Sequence, residues 1–118
     1  MQVVDLQEDQ DFQRLNVELL SISPDSLEDW REAGREMGIE NFDGVVSDAG
    51  NRVATKYDVM QWAVGGEPGH TFVLVDESGE VTWLQDYGAI ENGGIMYVAP
   101  EEIVRLVAPH VSEARAAE

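Results

Sequence analysis

Few side chains in this sequence have chemistry to offer. His70 stands directly before a β-rich run, Thr71-Phe72-Val73-Leu74-Val75, where an imidazole could serve as a general base or hold a substrate. That role needs a partner and a pocket, and the other histidine, His110, lies near the C-terminal end. The loop setting favours a locally hydrogen-bonded histidine. Asp48-Ala49-Gly50-Asn51 and Asp76-Glu77-Ser78-Gly79-Glu80 have the composition of acidic calcium loops. Neither has the alternating ligand spacing or the closing bidentate glutamate, so both read as turns. Gly65-Gly66-Glu67-Pro68-Gly69 is not a phosphate loop, because no strand feeds it and no Lys-Ser/Thr follows. Ser21, Ser23 and Ser26 have no nucleophile elbow around them. Trp62, Trp83 and Tyr87 could line a groove, but aromatics flanking a hairpin are more often core or edge cover. Cysteine is absent from all 118 residues, so this chain offers no thiolate, no disulfide and no thiolate metal site. No residue is assigned a catalytic, cofactor-binding or metal-binding role.

Composition narrows the setting. Twenty-four acids against seven bases give a formal net charge of -17, with Lys56 the single lysine. Such a surface repels nucleic acid and anionic membranes, both of which are bound through Lys and Arg. It suits a soluble acidic protein or one adapted to high salt. No apolar run approaches the ~20 residues that span a bilayer. The acidic start lacks a secretory signal, so a cytoplasmic protein is expected. Residues 1–118 make one domain.

The elements that would position these groups follow from pattern. Residues 2–16, with apolar positions at Val4, Phe12 and Leu15, predict one helix that begins abruptly at Met1 without a Ser, Thr, Asp or Asn cap. Val17–Ser23 reads as a buried parallel strand ended by Pro24. Asp25 or Ser26 caps a helix that carries Leu27, Trp30 and Met37 and stops at Gly38. Val45-Val46 suggests a minimal strand, and Asn51 opens a short helix through Tyr57. The Gly65–Gly69 stretch is the most flexible part of the chain. Residues 71–75 and 80–85 form a hairpin around Asp76–Gly79. After an irregular stretch over 86–99, Pro100 opens a last helix whose stripe is Ile103, Val104, Leu106 and Val107. The tail over 110–118 is expected to fray. A parallel βαβ unit followed by a hairpin and a covering helix defines an α/β layered domain.

Specific residues then match a family. Leu20 to Trp30, continuing to Ile39, resembles the peroxiredoxin stretch in which a central strand passes through Ser and Asp into a helix. Ser47-Asp48-Ala49-Gly50-Asn51-Arg52-Val53-Ala54, followed by Tyr57 and Val59, is similar to the family's Ser-Asp, Gly, Val-Ala, Tyr-Gly-Val segment. His70 to Asp76, with Gly79 and Val81, resembles its Thr-Phe-Val-Ile-Asp hairpin. Together these motifs cover roughly residues 17–85 and point to the alkyl hydroperoxide reductase/thiol-specific antioxidant branch of the thioredoxin fold. Pro68 lies about one residue too early to match the fold's cis-proline, and Gly69 or His70 occupies that place instead.

The resemblance implies a thioredoxin-like three-layer sandwich, incomplete at its N-terminus. The implied activity of the complete protein is thiol-dependent hydroperoxide reduction with electrons from a small dithiol protein, and the chain alone is expected to be inactive. The family's cysteine turn and the strand before it would precede Met1, so no catalytic residue carries over. The alternative is a non-catalytic thioredoxin-like module that binds a partner. Without the central strand, the slot between Val17–Ser23 and Thr71–Val75 needs another closure. Residues 2–6 could reroute as a strand, the two strands could pair directly, or a second copy could fill the slot, and the last of these, a homodimer, is the expectation.

Overall fold

Short helices with side-chain caps build the N-terminal part of the chain. The computed structural model describes residues 1–116, and the side chains of residues 1–112. Helix α1 (Gln2–Glu8) is capped by Met1, whose sulfur accepts from the Val4 N–H at 3.4 Å. Asp9 then adopts an extended conformation that ends α1, and its carboxylate accepts from the Phe12 N–H at 2.9 Å to start α2 (Gln10–Arg14). The single helix expected over 2–16 is therefore two, because one Asp both breaks and restarts it.

Strand β1 is short, Ser21–Ser23, and pairs in parallel with β2, Val45–Ser47, with Ile22 opposite Val46. Between them lies α3 (Leu27–Glu36), where the Ser26 hydroxyl accepts from the Asp29 N–H at 3.1 Å. Gly38, at φ +94°, turns the chain beyond α3, and the Ile39 N–H reaches the Gly34 carbonyl at 2.8 Å. Gly44 is required by space: a Cβ there would collide with the Leu19 carbonyl. A bend through Gly50 (φ +74°) and Asn51 (φ +56°) leads into α4 (Arg52–Lys56) and a 3₁₀ turn at Val59–Trp62. The hairpin forms as expected, β3 (Thr71–Val75) against β4 (Val81–Asp86), antiparallel, with a register shift between Leu74 and Val75. Helix α5 (Pro100–Ala116) closes the domain.

The main core joins the two ends of the chain. Leu6 and Phe12 from α1 and α2 pack with Tyr87, Val98, Ile103 and Val107, and Phe72, Leu74 and Trp83 of the hairpin cover them. Pro109 removes one backbone donor inside α5. The helix nevertheless runs to Ala116, where fraying was expected, and Val111 packs against the core beyond the proline. Residues 117–118 of that expected tail lie outside the described residues.

The domain is mixed α/β, but its strands form two separate two-stranded sheets. A continuous sheet between helical layers is not present among the described residues. Two of the expected closures fail. Residues 2–6 do not become a strand, because the Met1 cap and the burial of Leu6 hold them in α1. The β1 and β3 strands do not pair with each other, because β3 is held in the hairpin core that packs on α1, α2 and α5. The strand expected to be buried over 17–23 shrinks to three residues and leaves Leu20 and Ile22 52% and 40% exposed.

Leu6 is 1% exposed. Leu6→Ala should cost about 2–5 kcal/mol in urea-induced unfolding, the loss of buried methylenes plus the cavity they leave. Ile90→Ala, at a side chain 90% exposed, should change stability by less than about 0.5 kcal/mol.

Candidate functional site

A polar cluster sits where β3 begins and β4 ends. The His70 Nε2 lies 2.9 Å from the Gln2 Oε1, which also accepts from the Val98 N–H at 2.7 Å. An amide oxygen only accepts, so the hydrogen-bond pattern assigns the ring proton to Nε2. The Gln2 Nε2 donates to the Val98 carbonyl at 2.9 Å, so one side chain engages both backbone groups of Val98. The imidazole meets Phe72 edge to face at 5.0 Å, and Phe72 meets Tyr87 in the same way at 5.8 Å.

Beside it, Asp86 is 3% exposed. Its carboxylate accepts from the Thr71 hydroxyl at 2.6 Å, the Asn92 amide at 2.8 Å and the Ala89 N–H at 3.0 Å. Burial pushes this carboxyl upward, but the Asn92, Thr71, Ala89 and Gly88 donors outweigh it and hold the group below the usual carboxylate range. His70 is held below its ordinary value by burial, partly countered by the Asp86 charge. In Tyr87 burial raises the phenol, with Glu102 adding to the effect. Each strong acceptor in this cluster is matched to a donor from the chain itself. The arrangement holds the end of the hairpin to α1 and to the segment that leads into α5.

The other candidate residues are dispersed. Asp48 is buried and its carboxylate accepts from the Val53 and Ala54 N–H groups, both at 3.0 Å, which lowers its pKa. Its own N–H donates to the Ser23 carbonyl at 2.7 Å, tying β1 to the start of α4. Asp76 folds over its own turn, accepting from the Ser78 hydroxyl at 2.7 Å and from the Ser78 and Glu80 N–H groups at 2.9 Å, and these bonds hold it in the ionised form. Both acidic loops therefore use their carboxylates on backbone donors. Among the described residues no three His, Asp or Glu side chains cluster as metal ligands would. The Ser23 hydroxyl donates to the Asp25 carboxylate at 2.8 Å and the Ser47 hydroxyl to the Asp25 carbonyl at 2.6 Å. Ser26 is a helix cap and Ser21 a strand residue. Gly65 and Gly66 turn with positive φ under a short Val64–Glu67 bridge, and the Glu67–Pro68 bond is trans. Trp83 covers the core, and His110 lies half-buried on α5, far along the chain from His70.

Sequence reasoning missed Gln2, Asp86 and Asn92. Gln2 and Val98 are 96 residues apart, and no local pattern marks such a pair. It also missed a shallow groove of about 270 Å³ between the end of β1 and residues 67–69, lined by Ile22, Pro24, Asp25, Trp30 and Met37. The Trp30 indole N–H is buried there without an acceptor.

The chain thus combines a β–α–β unit, an Asp-capped bend and a hairpin under a C-terminal helix. The sequence model of the AhpC/TSA family matches residues 1–84, which is most of the chain. The chain belongs to the AhpC/TSA family. No curated protein and no solved structure is similar enough to it to count as a match.

The half-buried His70 sets a pH dependence. In the folded chain His70 prefers its neutral form, and unfolding returns it to an ordinary value of about 6.5. The unfolded chain then binds more protons, so the histidine's contribution is full above pH ~6.5 and is lost as pH falls below it. Urea midpoints measured across that range should decline in the native chain and flatten in His70→Gln. Asp86→Asn should cost about 1–3 kcal/mol in the same assay, because an amide donor then faces donors.

Proposed function

We propose that this chain is the scaffold portion of a thiol-dependent hydroperoxide reductase. The observation that supports this reading is the AhpC/TSA family match over residues 1–84. The proposed reaction begins with a cysteine thiolate contributed from outside residues 1–118. It attacks one peroxide oxygen, the O–O bond breaks, an alcohol or water leaves, and the sulfur becomes a sulfenic acid. A small dithiol protein returns it to the thiol, releasing water and leaving its own sulfurs as a disulfide. The residues present here would hold the strands and helices that support the reactive turn, and none would touch the peroxide.

A second reading, a cysteine-free module that binds a partner, is favoured by the open strand edges and by the absence of any thiol in the sequence. The genomic bases before the Met1 codon separate the two. An in-frame strand followed by a Cys-bearing turn supports the reductase, whereas an in-frame stop supports the binding module. In a peroxide-consumption assay with a dithiol reductant, residues 1–118 alone should show no rate above buffer. A measurable rate would overturn both readings.

A further inference from the structure

Among the described residues each of the four strands has a single neighbour, so β1 and β3 each keep one edge without a strand partner. In the β1–β2 ladder the Ser21 N–H donates to the Gly44 carbonyl, and the Ser23 carbonyl accepts from the Asp48 N–H, both at 2.7 Å. Alternation along a parallel strand then turns the N–H and C=O of Ile22 away from β2. In the hairpin, the Tyr87 N–H donates to the His70 carbonyl at 2.8 Å and Thr71 stands opposite Asp86. The same alternation directs the backbone groups of Thr71 and Val73 away from β4. The groove of about 270 Å³ lies between the end of β1 and the Glu67–Gly69 segment that leads into β3.

This slot has a chemical character. Leu20, Ile22 and Met37 stand 52%, 40% and 46% exposed along or beside the β1 edge. Asp25 and Glu67 border the groove, and neither takes part in the ion pairs seen among the described residues. The chain as a whole carries -17. An open apolar strand edge is a template for another strand, and acidic groups at its mouth select a cationic one.

We propose that the slot binds an extended peptide segment of another protein, about the five-residue length of β3, apolar at alternate positions and flanked by Lys or Arg. The segment adds as a strand on the outward groups of Ile22, places its apolar side chains beside Leu20 and Met37, and sets its cations against Asp25 and Glu67. A second copy of this chain is the poorer occupant. Two bodies of charge -17 repel. The proposal rests on the second reading, the partner-binding module, since under the reductase reading the strand before the cysteine turn fills this slot.

The test uses the whole chain and a fluorescein-labelled, end-capped peptide, Lys-Val-Thr-Val-Ile-Val-Lys, followed by fluorescence anisotropy. Saturable binding is expected. It should weaken about tenfold or more when both peptide lysines become Glu, when alternate peptide nitrogens are methylated, and in the Asp25→Asn, Glu67→Gln chain. Ile22→Pro should also abolish binding, since it removes the outward N–H while leaving the ladder to β2 intact. If circular dichroism shows that Ile22→Pro unfolds, the methylated peptide decides on the unaltered chain. Failure to bind, or equal binding by the Lys, Glu and methylated peptides, overturns the proposal. So does a homodimer in light scattering that the Asp25→Asn, Glu67→Gln chain retains and that excludes the peptide.

Discussion

The constraint on which the rest depends is the closure of the two chain ends over one core. Leu6 near the start and Ile103 near the end are the largest side chains completely withdrawn from water, and they lie in the same cluster. Burial of such side chains supplies the main favourable term for a domain of this size. Gln2 fixes the geometry of that closure by bonding both backbone groups of Val98 and the imidazole of His70. Tyr97 adds a second link through its hydroxyl, which donates to the Asp5 carboxylate at 2.6 Å. The hairpin then has a surface to lie on, and Phe72, Leu74 and Trp83 cover the same cluster.

That closure explains the divided sheet. With the hairpin packed on α1, α2 and α5, its outer edge meets no strand among the described residues. The β1–α3–β2 unit is held separately, by a parallel ladder, by Asp48 and by the burial of Ile39, Val45, Ala54 and Val59. Backbone polarity makes open edges expensive only when they are dry, and here the edge residues remain partly exposed to water. The acidic surface adds a further influence, since self-repulsion opposes edge-to-edge pairing of like copies.

The polar groups follow one rule throughout. Asp9, Ser26 and Asp48 satisfy the free N–H groups at helix starts, and Asp76 and Asp86 satisfy those of turns. A carboxylate that accepts several such bonds is stabilised as the anion, which is why these three last aspartates are shifted downward together. The AhpC/TSA motifs around Asp48 and Asp76 are thus legible here as backbone-satisfying devices.

Much of the local structure was determined by sequence alone. Ser26 before an amphipathic run, Gly38 after it, the alternation around Asp76–Gly79 and Pro100 at a helix start each act within a few residues, so their outcome needs no distant partner. The family was legible for the same reason, because its motifs are short and ordered. Some features appeared only in the tertiary structure. Asp9 splits the first helix where periodicity alone read one, and Val111 carries α5 past Pro109 because a core lies beneath it. The cluster of Gln2, His70, Asp86 and Asn92 draws on both ends of the chain and could not be read from spacing. The open slot was also a tertiary outcome: strand pairing is a contest between distant segments, and packing of the hairpin on the chain ends leaves β1 and β3 in separate sheets.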